Sequence, residues 1–421
     1  MAIDGVSGLS RVFSLPEIPA AAEPFPSEPV DPASDFEATG APAPVDLQGG
    51  LQQTDWAAFA GQQQDLWSVE EAAPVQFQAM ERPPTAVDPN KVGVVLNDHP
   101  LNLPSAQELR DLGVTGARIS LTGANFTPET GQAWQDRLAE YRNAGIEVTL
   151  NLPRELEDSG TFPEPPGREY HENGTWSLLP SDQQPQEWKD AFNDWKYNQY
   201  LPRVQQVLDT VGGSASAYEI WNEPDEPGNR EDYSPGIPAG QFGELLRDVY
   251  GMVHGPDADP DAGPPEGQPR IITGGLDSGN TAWLDGAFVD GKLYADTLGV
   301  HPYLKRPDES YDEPGNWTGT VADIARDYSR FGKTIELTEA GDRRGFSPPY
   351  IPEFATAAGR EENVGRSYFF WDDPYDGEFG LMGGRDDAGQ PIYRAGAREL
   401  QERIRQWNEG GRRRSRRPIV E

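Results

Sequence analysis

The chain has 421 residues, 70 acidic against 35 basic, for a formal net charge of −35. That surplus repels polyanions and argues against a nucleic-acid partner, and the lack of any cysteine excludes disulfides and thiolate metal sites. No apolar run approaches the roughly 20 residues needed to cross a bilayer. The N-terminus has Asp4 ahead of its first base, Arg11, and no long apolar stretch, so it does not read as a Sec signal. The expectation is a cytoplasmic protein or one exported by a non-Sec route.

Residues 1–88 differ in kind from the rest of the chain. They hold fourteen acidic residues, eleven prolines and only Arg11 and Arg82 as bases, a composition that cannot bury a core and reads as a disordered acidic, proline-rich leader. Within it, Leu51, Trp56, Phe59 and Trp67 are spaced for a weak amphipathic helix over 47–73.

From Lys91 onward strand-like and helix-like stretches alternate, the pattern of a parallel α/β domain. The predicted strands are Val92–Leu96, Gly116–Leu121, Ile146–Leu152, Ala217–Trp221, Arg270–Gly274, Thr297–His301, Thr334–Thr338 and Ser367–Trp371. The predicted helices are Ser105–Leu112, Pro128–Asn143, Gln186–Val211, Ala239–Val253, Asn280–Phe288, Val321–Phe331, Ile351–Glu362 and Tyr393–Trp407. Ser105 followed by Glu108 forms a capping-box pattern, and Thr127 before Pro128 suits a helix start. Eight strands and eight helices predict a (β/α)₈ TIM barrel over 89–410. A basic tail, 411–421, comes after the last helix, and like charges in such a block are ordinarily solvated. The long loop after the third strand, from Arg154 to about Pro185, is predicted to be a lid or cleft wall.

Two segments carry chemistry. Tyr218–Asp225 reads YEIWNEPD, and the proline ends the strand so that Glu223 sits at its C-terminal tip. Lys333–Gly341, KTIELTEAG, delivers Glu339 in the same way. Parallel barrels gather their chemistry at that end, and two carboxylates there are what a glycosidase needs, one as proton donor and one as nucleophile. Arg118, inside the buried run GARISL, requires a partner for its charge.

WNEP after the fourth strand, HPY after the sixth and TEAG after the seventh, in that order, resemble the retaining glycoside hydrolases of clan A, most nearly the family 39-like group of β-xylosidase-like and exopolysaccharide-degrading barrels. The resemblance covers roughly residues 90–408. It implies Glu223 as general acid/base and Glu339 as nucleophile, with Arg118 paired to the nucleophile and lowering its pKa. It implies Asn222 as a contact to the substrate 2-hydroxyl, His301 and Tyr303 as linings of the sugar site, and Trp371 as the aromatic platform under the sugar. Asn97 and His99, after the first strand, fall where further sugar contacts occur. The implied activity is hydrolysis of a β-linked oligo- or polysaccharide, with Trp176–Tyr200 supplying cleft aromatics.

Neither nucleotide-binding glycine motifs nor histidines at metal-ligand spacing occur, so no cofactor or catalytic metal is predicted. Asp257, Asp259 and Asp261 imitate a calcium loop, but Pro260 interrupts the turn and Gly263 falls one position late. The alternative is a non-catalytic carbohydrate-binding or secreted interaction protein on the same barrel, since fold alone does not fix function.

Overall fold

The computed structural model describes residues 85–156, 162–170, 176–225, 236–277, 281–302, 317–340, 350–372 and 380–415. Eight parallel strands close into a barrel: β1 (Val92–Leu96), β2 (Gly116–Ser120), β3 (Glu147–Leu152), β4 (Ala217–Asn222), β5 (Arg270–Asp277), β6 (Thr297–His301), β7 (Thr334–Ala340) and β8 (Val364–Phe370). Each strand pairs with its neighbours in sequence, and β8 closes on β1 with Val92 opposite Ser367. Buried on both faces, these strands read as near-continuous apolar runs such as Val92–Leu96. With the helices around it, this is a (β/α)₈ TIM barrel.

The helices are α1 (Ala106–Leu112), α2 (Gly131–Asn143), α3 (Gln186–Trp195), α4 (Leu201–Val211), α5 (Ala239–His254), α6 (Thr281–Asp285), α7 (Trp317–Tyr328), α8 (Tyr350–Arg360) and α9 (Ala395–Ser415). Their apolar faces, among them Leu109, Trp134, Leu138, Val204, Leu245 and Val249, bury the outer faces of the strands in one core. Polar atoms on core aromatics find acceptors: Trp134 Nε1 donates to Asn125 O at 2.9 Å, and Tyr200 Oη to Leu152 O at 2.5 Å.

Several boundaries differ from the sequence reading, each for a local reason. The helix expected over Gln186–Val211 is two helices joined by a π-turn, Lys196–Tyr200, and Pro202 lies in the first turn of α4. Proline lacks the N–H that a continuous helix would need there. Helix α2 begins at Gly131 instead of Pro128. Thr127 N donates to Thr130 Oγ1 at 2.8 Å, closing a turn in place of a helical first turn. The long loop contains a short hairpin, Arg168–Tyr170 with Trp176–Leu178, and a second hairpin, Met382–Arg385 with Pro391–Tyr393, lies beyond β8. Tyr393 is therefore a strand residue, and α9 starts two residues beyond it. At its other end α9 runs on to Ser415, inside the expected basic tail, where cations suit a helix C-terminus.

The described residues begin ahead of residue 89. Val87 is buried, and its N–H donates to Arg403 O of α9 at 3.3 Å. The rest of the expected leader, including the helix predicted over 47–73, lies outside the described residues.

The capping box of α1 is complete. Ser105 Oγ accepts from Glu108 N at 3.3 Å, and Glu108 Oε2 accepts from Ser105 N at 2.7 Å. Burial pushes the Glu108 carboxyl up, but the Ser105 bonds and Arg385 together hold it below its usual range. Its contribution to stability is therefore full above the ordinary carboxylate pKa and is lost as pH falls through the depressed one. Ser105→Ala is expected to cost about 1 kcal/mol, read as a lower urea midpoint at unchanged slope.

Candidate active site

The site is assembled at the C-terminal ends of β4, β6 and β7, around a cation that rises from β2. Arg118 is fully buried and points into the barrel, because its partners sit on strands that do not neighbour β2. Its Nε and Nη2 grip the carboxylate of Glu219 on β4, the Nη2 contact being 3.1 Å. Nη1 reaches Glu339 Oε1 at 2.6 Å, and Nη2 also donates to Asn222 Oδ1 at 3.0 Å. One guanidinium thus fixes three site residues.

The β4 tip is strained. Trp221 has φ 75° and Glu223 φ 47°, left-handed values unusual for side chains this large. Asn151 Nδ2 holds the displaced carbonyl of Trp221 at 2.7 Å. Behind the tip, the Trp221 ring packs against Phe162, Trp195 and Tyr200 at centroid distances of 5.3, 5.9 and 6.0 Å. Trp188, Phe192, Trp195 and Tyr200, expected to line a cleft, are instead buried here. Their apolar area is more stabilising packed among one another than in water.

Two glycines on β5 make room. A Cβ on Gly274 would lie 2.7 Å from Ile220 O and 3.1 Å from Trp221 O, and one on Gly275 would lie 1.9 Å from His301 Nε2. The backbone of β5 therefore approaches the strained tip and the imidazole more closely than any side chain allows.

His301 is buried between the carboxylates. Its Nδ1 lies 3.0 Å from Glu223 Oε1 and 3.7 Å from Glu339 Oε2. One ligand atom each from Glu223, His301 and Glu339 fall within 4.8 Å of one another. Burial pulls the His301 imidazole down, and Arg118 adds to that. The Glu339 charge and the hydrogen bond and charge of Glu223 more than offset both, leaving its pKa above the ordinary histidine value. Glu223 and Glu339 remain partly exposed, their side chains at 15 % and 12 %. Such a set of donors would also accept a divalent cation, although Arg118 stands against it.

Three other expected residues, Asn97, His99 and Trp371, follow the ends of β1 and β8. Trp371 is 1 % exposed and packs edge-on against Tyr393 at 6.0 Å. With Asn97 it lines a cavity of about 210 Å³ between the ends of β1 and β8. His99 Nδ1 is used within its own turn, accepting from Leu101 N at 3.3 Å. Tyr303 lies outside the described residues.

Glu219, Asn151, Gly274 and Gly275 join the site without having been singled out from the sequence. The signals were present: a charge inside the apolar run YEIW, and a glycine pair inside the strand Arg270–Asp277.

No known family model and no curated protein matches this chain in sequence. Solved structures do match it in three dimensions. ZgEngAGH5_4 aligns at 13 % identity and a TM-score of 0.52, over 75 % of this chain and 95 % of its own. The same protein in complex with a cellotriose aligns at 12 % and 0.51, again over 75 % and 95 %. A GH5-4 broad specificity endoglucanase from Clostridium acetobutylicum aligns at 11 % and 0.50, over 75 % and 96 %. What they share with this chain is the barrel.

Two outcomes are expected of this geometry. Gly275→Ala should displace the His301 ring, lowering stability by about 1–3 kcal/mol, the usual cost of overpacking; thermal melting checks it. Glu339→Gln removes the charge that most raises the His301 pKa, so the imidazole should titrate at lower pH than in wild type when followed by NMR.

Proposed function

We propose that the protein is a retaining O-glycosidase that cleaves a β-linked oligo- or polysaccharide by double displacement. The observation that carries this reading is the approach of Glu223 and Glu339, with oxygens within 4.8 Å across the open end of the barrel. Retaining enzymes hold their carboxyl groups about 5–5.5 Å apart, whereas inverting ones need about 6.5–9.5 Å to admit a water.

In the first step Glu223, as a carboxylic acid, gives its proton to the glycosidic oxygen, and a Glu339 oxygen attacks the anomeric carbon from the opposite face. The aglycone leaves as an alcohol, and the sugar stays as an ester of Glu339. In the second step the Glu223 carboxylate takes a proton from water, whose oxygen attacks the same carbon and releases Glu339. The two inversions give net retention. Arg118 holds Glu339 in the ionised form the attack requires. With its oxygen committed to Arg118, Asn222 offers its amide N–H groups to the sugar 2-hydroxyl, a contact that tightens as charge develops.

Within this class the WNEP, HPY and TEAG set favours a family 39-like enzyme. Cellotriose is bound in one structure of similar fold, so β-glucan oligosaccharides belong in the substrate panel beside aryl β-xylosides and β-glucosides. Asn97 and Trp371, around the cavity between β1 and β8, are our candidates for contacts to a further part of the sugar chain.

The test is hydrolysis of that panel by wild type, Glu223→Ala and Glu339→Ala, with product stereochemistry followed by NMR. Wild type should release the β-anomer first. Glu223→Ala should lose about 10²–10⁴ in rate on poor leaving groups, and azide should yield the retained glycosyl azide. Glu339→Ala should be silent until azide returns the inverted one. Turnover that survives both substitutions would sink the assignment.

A further inference from the structure

Glu219 is a fully buried carboxylate that no substrate atom can reach. Its Oε2 takes Arg118 Nε, while Oε1 accepts from Arg118 Nη2 at 3.1 Å and from Gly275 N at 2.9 Å. His301 Nε2 stands 4.0 Å from the same Oε1. The charged groups facing this pair are His301 from β6, Glu339 from β7 and Glu223 from the end of β4.

A guanidinium is a planar fork. Gripped side-on through Nε and Nη2, it cannot turn, and the third nitrogen, Nη1, is aimed at Glu339. Were Arg118 free of Glu219, it would swing wholly onto Glu339. The nucleophile would then be drawn from its line of attack, and a full positive charge would make it a weaker base. Sharing the cation between two carboxylates keeps Glu339 at the one nitrogen, Nη1.

We infer that Glu219 is a positioning residue of the double displacement: through Arg118 it orients the nucleophile, and it places a buried negative charge beside His301 and the nucleophile's guanidinium. The catalytic half of this inference rests on the glycosidase reading. The electrostatic half does not.

Two variants test it. Glu219→Gln presents an N–H to Arg118 Nε and removes the negative charge. Its kcat should fall about 10- to 100-fold with KM little changed, as expected when reacting groups are misplaced. The acid limb of its kcat/KM profile should move down by about one pH unit, because losing a nearby negative charge makes Glu339 easier to ionise. The His301 imidazole, followed by NMR, should titrate lower for the same reason. Glu219→Asp keeps the charge but draws it back, so kcat should fall while the acid limb stays.

An unmoved acid limb and an unmoved His301 titration in Glu219→Gln would overturn the inference. So would wild-type kcat in Glu219→Asp, or failure of both variants to fold, since the carboxylate would then serve the barrel and not the site. If wild type turns over nothing in the panel while His301 still responds to Glu219→Gln, the glycosidase reading fails and the electrostatic hold of Glu219 on the cluster stands.

Discussion

The site depends on one buried cation. Arginine cannot give up its proton inside a protein, so Arg118 must be met by negative charge or leave a large desolvation cost uncompensated. Its position on β2 determines where that charge has to be. Glu219 answers from β4 and Glu339 from β7, strands that never pair with β2 in the barrel. The ion pairs therefore cross the barrel interior and tie together directly three strands that the hydrogen-bond ladders connect only through their neighbours. Asn222, held by the same guanidinium, brings the strained end of β4 into that arrangement.

Strain at that end is sustained from two sides. The aromatic cluster of Phe162, Trp195 and Tyr200 presses on Trp221 from outside the barrel, and Gly274 and Gly275 let β5 close in from the flank. A left-handed tryptophan costs on the order of 1–3 kcal/mol. Burying an aromatic side chain among others returns a comparable amount. The energy that turns Glu223 toward Glu339 thus comes from packing that never touches the site.

This division explains what was legible in the sequence. The barrel strands could be read because a parallel sheet covered on both faces writes itself as apolar runs, and the tips of β4 and β7 could be read because Pro224 and the small residues of TEAG mark them. Helix ends were less legible, since Thr130 and Pro202 act through turn hydrogen bonds and a missing donor, not through periodicity. Trp188, Phe192 and Trp195 pass for cleft residues because aromatics that fill a core and aromatics that line a cleft have the same composition. Glu219 escapes notice because a glutamate between apolar neighbours gains meaning only when its partner is known to lie across the barrel.

Among the described residues, the barrel interior holds two charged layers. In the lower layer Arg270 meets Glu336 at 2.5 Å, and Tyr368 bridges Glu336 and Thr149 across the barrel. Burial and the Glu336 charge push the Tyr368 phenol up to about 12, so it keeps its proton near neutral pH. In the upper layer Glu219, Glu223 and Glu339 gather around Arg118, a permanent cation, and His301, a conditional one. Glu339 and the 3.0 Å contact with Glu223 hold the His301 pKa above its ordinary value against the pull of burial, so this layer, unlike the lower one, changes its charge as the imidazole titrates.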